Sequence, residues 1–138
     1  MLYVPKYFKL KEFVCPCCGY VHINAGLVVL LDGARGMVGH PLHVNSGWRC
    51  KKHNIEVGGV ENSRHLIGCA ADIACPDKVI FSRFADVMRE FFGLPGYECK
   101  LYIERNFVHV AVPREGRYND EWDGGPIYIG RNMPGGAD

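Results

Sequence analysis

The chain has 138 residues, 48% hydrophobic and 22% charged, and its 16 basic side chains nearly balance 15 acidic ones to leave a formal charge of +1. A domain of this size buries a real core, but its scattered, near-neutral charge gives no long-range field for a polyphosphate, so nucleic acid is not the expected partner. The longest apolar stretches, Gly26 to Leu31 and Phe107 to Pro113, fall far short of the roughly 20 residues that cross a bilayer, and no membrane span is expected.

In chain order, the opening residues MLYVPKYFKLKEF mix lysines with aromatics and lack the uninterrupted apolar run of a secretory signal, so synthesis in the cytoplasm without an export leader is expected. Asn24 is placed to cap a helix whose apolar positions Leu27, Leu30, Leu31, Ala34, Met37 and Val38 recur at helical spacing and which ends near Gly39. Leu42 to Asn45 reads as a short strand, and Gly47 to Ser63 as a long polar loop of the kind that builds sites. Asp77 caps a second helix with the stripe Val79, Ile80, Phe84, Val87, Met88, Phe91 and Phe92, closing at Gly93. Cys99 to Glu104 and Phe107 to Val112 alternate around Arg105 and Asn106 as a β-hairpin. The tail Arg114 to Asp138 holds one possible strand, Ile127 to Ile129, and its last residues are expected to fray. Helices kept apart from a run of antiparallel strands predict an α+β domain over residues 1–138, with a small antiparallel sheet, helices on one face, a Cys-rich opening segment (1–22) and a loop-rich tail (114–138).

Ser63 to Asp72, S-R-H-L-I-G-C-A-A-D, places an imidazole and a carboxylate seven residues apart around small residues that let backbones pack closely. His109 lies in an apolar strand, where an imidazole without a polar partner is costly. Together His65, Asp72 and His109 offer two neutral nitrogens and one anionic oxygen, a set suited to a tetrahedral Zn²⁺ that keeps one position open.

These residues carry a resemblance. Phe8 to Cys18, Asn45 to Asn54 (N-S-G-W-R-C-K-K-H-N), Gly58 to Asp72 and Phe107 to Val110 resemble, in order and spacing, the motifs of the zinc D-alanyl-D-alanine carboxypeptidases and L-alanyl-D-glutamate endopeptidases of peptidoglycan. That family is related in fold to the hedgehog signalling domain. The resemblance implies a hedgehog/DD-peptidase-like fold, with His65, Asp72 and His109 as zinc ligands. Arg49 then engages a substrate carboxylate or the polarised carbonyl, as a guanidinium fork can, and Ser63 hydrogen-bonds beside the metal. The substrate it implies is a peptidoglycan stem or cross-link peptide, cut by a carboxypeptidase or endopeptidase. A monomer is expected, and with neither an export signal nor a recognisable wall-binding repeat in the sequence it is expected to reach the wall after release, in the manner of a phage or prophage endolysin.

The chain departs from the family at the general base. Relatives carry an acid three residues before the last histidine, or a carboxylate or histidine two residues to either side of it; here those positions hold Asn106, Phe107 and Ala111. With a two-residue turn at Arg105 and Asn106, Glu104 pairs with Phe107 and shares the face of His109, which makes Glu104 the expected base. The alternative is a non-catalytic, zinc-containing hedgehog-like binding module. Trp48 either walls a groove or packs on the domain. The seven cysteines are an odd number, and the crowding of Cys15, Cys17 and Cys18 suits reduced or metal-bound thiols. Their spacing with His22 suggests a structural zinc; the other readings are buried thiols or a disulfide from one of them to Cys50.

Overall fold

Asn24 starts helix α1 (Ala25–Val38) by accepting the Leu27 N–H on its side chain, and Gly39 ends it in the left-handed region at φ 74°. In the computed structural model, residues 5–91 and 93–114 are described, together with the backbone of 127–128. Leu27, Val28, Leu31, Ala34 and Val38 are buried along one side of α1. Met37, expected in that stripe, is exposed, because it lies about 100° round the helix from Val38. The sequence reading passed over Asp32. It is buried on the same helix, and its carboxylate accepts the backbone N–H groups of Lys6, Tyr7 and Phe8 at 3.0, 2.7 and 3.2 Å. This pins the opening segment to α1. Asp32→Ala is expected to cost about 2 kcal/mol, since partly buried amides lose a charged acceptor; thermal denaturation followed by circular dichroism should show it.

The sheet has four antiparallel strands in the order β2 (His43–Ser46), β3 (Ala70–Ala74), β5 (Phe107–Ala111), β4 (Glu98–Tyr102). Period-two alternation sorts its side chains. Val44, Ala71, Ile73, Val108 and Val110 face the core, where helix α3 (Lys78–Met88) packs on β5 and against α1. Asp72 and His109 are paired across the other face, with Lys100 opposite His109 and Tyr102 opposite Phe107. The α+β class, the small antiparallel sheet and the helices on one face are therefore as expected.

Asp77 caps α3 as expected, its Oδ1 accepting the Ile80 N–H at 2.9 Å. Ile80, Phe81, Phe84, Ala85 and Met88 are buried, while Val79 is exposed. Phe92 lies outside the described residues, as does all of the tail beyond 114 except 127–128. There Ile127–Tyr128 (β6) pairs with Val21–His22 (β1); Ile129 is not described.

Two expectations need correction. The polar loop 47–63 contains a helix, α2 (Lys51–Glu56), which has no apolar stripe to announce it and is held by the buried Asn54. The hairpin turn is longer than two residues. Its last pair is Tyr102 with Phe107, and a 3-10 turn Ile103–Arg105 followed by Asn106 at φ 53° makes the connection.

Candidate metal centre

The interval between His65 and Asp72 is a folded device. Ser63 caps a 3-10 turn, Arg64–Ile67, by accepting the His65 N–H at 3.1 Å, and Gly68 closes it at φ 72°, a conformation that glycine adopts without strain. The chain then enters β3, where alternation turns Asp72 away from the core. Its cross-strand partner is His109. Among the described residues, the three side chains bring one ligand atom each to within 4.8 Å of the others. His109 Nδ1 lies 2.9 Å and His65 Nε2 3.4 Å from the same Asp72 Oδ1. Metal–ligand bonds of about 2.0–2.1 Å in a tetrahedron set neighbouring ligand atoms about 3.3 Å apart, so this spacing fits a small divalent cation.

The outward nitrogens are fixed by acceptors. His65 is buried, and its Nδ1 lies 2.7 Å from the Gly47 carbonyl; a carbonyl only accepts, so Nδ1 carries the proton and Nε2 keeps its lone pair for the cluster. His109 Nε2 lies 2.9 Å from Glu98 Oε1. Burial raises the Glu98 pKa, but the His109 hydrogen bond and the Lys100 charge outweigh it and hold it below the usual glutamate value. An ionised Glu98 accepts a hydrogen bond from the Nε2–H, leaving the lone pair of Nδ1 to face Asp72, as outer carboxylates do for ligating imidazoles. At Asp72 burial again raises the pKa, and the adjoining His109 and His65 rings overcome it, keeping the carboxylate well below its ordinary range.

Arg49 overlooks the cluster. Its Nε donates to Ser46 Oγ at 3.0 Å, one terminal nitrogen to Asn54 Oδ1 at 3.1 Å, and the other to Asp72 Oδ2 at 3.4 Å. Burial lowers its pKa and the Asp72 charge opposes that. Asn54 is itself tied to the Val60 carbonyl at 2.8 Å. Gly59 leaves room for this network, since a Cβ there would sit 2.1 Å from Asn54 Oδ1. Arg49, Ser63, His65, Asp72 and His109 all line one cavity of about 400 Å³, and Lys100, Tyr102, Arg105 and Phe107 also line it.

Five of the six expected site residues thus converge. Glu104 does not. It is exposed within the 3-10 turn and lies off the cavity wall, because the four-residue connection removes it from the ladder and from the pairing with Phe107 that would have aimed it at His109. The carboxylate that reaches His109 is Glu98, paired with Ala111 and diagonal to the histidine. The same parity that marks Lys100 and Tyr102 marks Glu98 once the hairpin register is known. Trp48 packs on the domain, donating its ring N–H to the Leu66 carbonyl at 2.8 Å and meeting the His22 ring at a tilt of 53°. Arg49 pairs with Asp72 rather than with Glu56 or Glu61.

A protein-family model described as Peptidase M15 matches residues 6–111. No curated protein matches the chain. Among solved structures, the L-Ala D-Glu endopeptidase ChiX of Serratia marcescens is similar at 18% identity and a TM-score of 0.46, over 65% of this chain and 80% of that one.

Proposed function

The chain belongs to the peptidase M15 family, and from that premise we propose that it is a zinc-dependent peptidase hydrolysing an amide bond in peptidoglycan stem or cross-link peptides. One observation carries this reading: His65 Nε2, Asp72 Oδ1 and His109 Nδ1 converge on the wall of a cavity that Arg49, Lys100 and Arg105 also line. His65, Asp72 and His109 would hold the ion. When bound, Zn²⁺ supplies Lewis acidity, polarising an amide carbonyl and making water acidic enough to attack near neutral pH.

The chain's own groups do the rest. Glu98 holds the Nε2 proton of His109 and so fixes the ring's tautomer and angle. Arg49 is held in place by Ser46 and Asn54 with its charge toward the cavity, where it can fork onto the carboxylate of a stem peptide. Lys100 and Arg105 add positive charge that suits a substrate ending in a D-amino-acid carboxylate, whether the scissile bond is terminal or internal.

The outward Glu104, with Asn106 and Ala111 at positions where relatives carry acids, favours a second reading, in which the same centre binds metal and peptide without turnover. Mass spectrometry of muropeptides incubated with the zinc-loaded protein separates the two. New fragments, abolished by chelation, are expected. Glu98→Gln should slow their release about 10–100-fold, as loss of an outer carboxylate does, while Glu104→Gln should stay within about twofold. Unchanged muropeptides favour the binding module, and a large loss in Glu104→Gln removes Glu98 as the working carboxylate.

A further inference from the structure

Three of the seven cysteines meet and a fourth lies beside one of them, although they come from two places in the chain. Cys15, Cys17 and Cys18 follow the N-terminal 3-10 turn Leu10–Phe13, and Cys50 sits between Arg49 and α2. The sulfurs of Cys15, Cys18 and Cys50 lie within 4.8 Å of one another. Cys17 stands outside that trio and interacts with Cys50. The Cys50 sulfur is 3.6 Å from that of Cys15. A disulfide needs about 2.05 Å. Zinc–sulfur bonds of about 2.3 Å in a tetrahedron place neighbouring sulfurs about 3.8 Å apart, and the observed gap matches that edge.

The backbone around these sulfurs suits thiolates. Cys15-Pro16-Cys17-Cys18-Gly19 is a tight C-x-x-C turn, with the Gly19 N–H on the Cys15 carbonyl at 2.9 Å and Gly19 at φ 78°. Amides point at sulfur: Cys50 N–H at Cys15 (3.5 Å), His53 N–H at Cys50 (3.4 Å), and the Tyr20 backbone at Cys18. Such donors favour the anionic form, which is the metal ligand, most of all at Cys50, while burial pushes the metal-free Cys18 thiol up to about 11. His22, grouped with the cysteines by spacing alone, packs at a tilt against Trp48, and Cys50 takes the distant position that a C-x-x-C turn needs a partner to fill.

We propose that Cys15, Cys18 and Cys50, with Cys17 turning in from beside Cys50 as the fourth ligand, form a second metal centre, a closed four-thiolate zinc site that clamps the N-terminal segment to the loop carrying Arg49. Four sulfur ligands leave no open position, so this centre is structural. It stands independently of the peptidase reading.

Cobalt substitution tests it, because tetrahedral thiolate–Co²⁺ has an intense near-ultraviolet charge-transfer band that a histidine–carboxylate site lacks. The full chain reconstituted with Co²⁺ is expected to show the band, Asp72→Asn to keep it, and Cys50→Ser to lose it. Zinc content should fall from about two ions per chain to about one in Cys50→Ser. A cobalt-loaded unmutated chain without the band overturns the proposal, as does a Cys15–Cys50 disulfide in the metal-supplied protein. The unmutated chain carries the primary readout, so misfolding of Cys50→Ser would not obscure the answer. Failure of the histidine centre would show separately, as one zinc lost with the band intact.

Discussion

Asp72→Asn is expected to lose the ion at the His65 centre and to lower turnover about 10³-fold, while the fold survives. The substitution is isosteric, and an asparagine oxygen can still face both imidazoles. What disappears is the charge. Asp72 is the sole anion among the three ligands, it lies on the cavity wall at 14% side-chain exposure, and the Arg49 guanidinium is 3.4 Å away. Without the carboxylate, a dication would sit between two neutral rings beside an uncompensated arginine, in surroundings where water screens poorly. The loss of several kcal/mol of transition-state stabilisation that a Lewis acid supplies corresponds to about 10³ in rate. Metal analysis of the dialysed variant and its muropeptide kinetics check both halves. A variant that keeps its zinc and its rate would remove Asp72 from the centre.

Gly47→Ala is expected to destabilise the protein by about 3 kcal/mol, the upper end for overpacking, and to lower Tm by about 10 °C. A Cβ at this position would lie 2.5 Å from Phe13 Cα and 2.6 Å from the Phe13 carbonyl oxygen. Both are backbone atoms that no rotamer change can move, and Phe13 is fully buried. The contact is reinforced by the Trp48 N–H on the same carbonyl at 2.8 Å. Because the Gly47 carbonyl also holds His65 Nδ1, relief of the clash would turn the imidazole and weaken metal retention along with stability. Calorimetry paired with zinc titration tests this; a variant with unchanged Tm would mean that the N-terminal segment yields freely.

The features legible in sequence were those set by local chemistry or by parity. Asn24 and Asp77 announce their helices because a side-chain oxygen at the cap is a local bond, and the alternation of Phe107 to Val112 announces β5. What escaped was non-local. Helix α2 has no apolar face to betray it, and its Asn54 is buried by contacts with Arg49 and Val60. Asp32 reads as a polar break in a helical stripe until the opening segment folds back onto it. Glu104 and Glu98 exchanged roles because the turn spans four residues instead of two. A change of that size moves a residue out of the ladder, and no composition rule sets turn length where Asn106 supplies the left-handed step without a glycine.

Asp72 and His109 stand on the two inner strands of the sheet, each hydrogen-bonded to neighbours on both sides. Two of the three donors are thereby set before any cation arrives, their bite dictated by interstrand spacing, and only His65 is supplied from a turn. Uptake at this pocket need not be coupled to global ordering of the polypeptide, as it is in zinc fingers. Little binding energy is then diverted into conformational restriction, and ion exchange becomes a matter of donor chemistry and access.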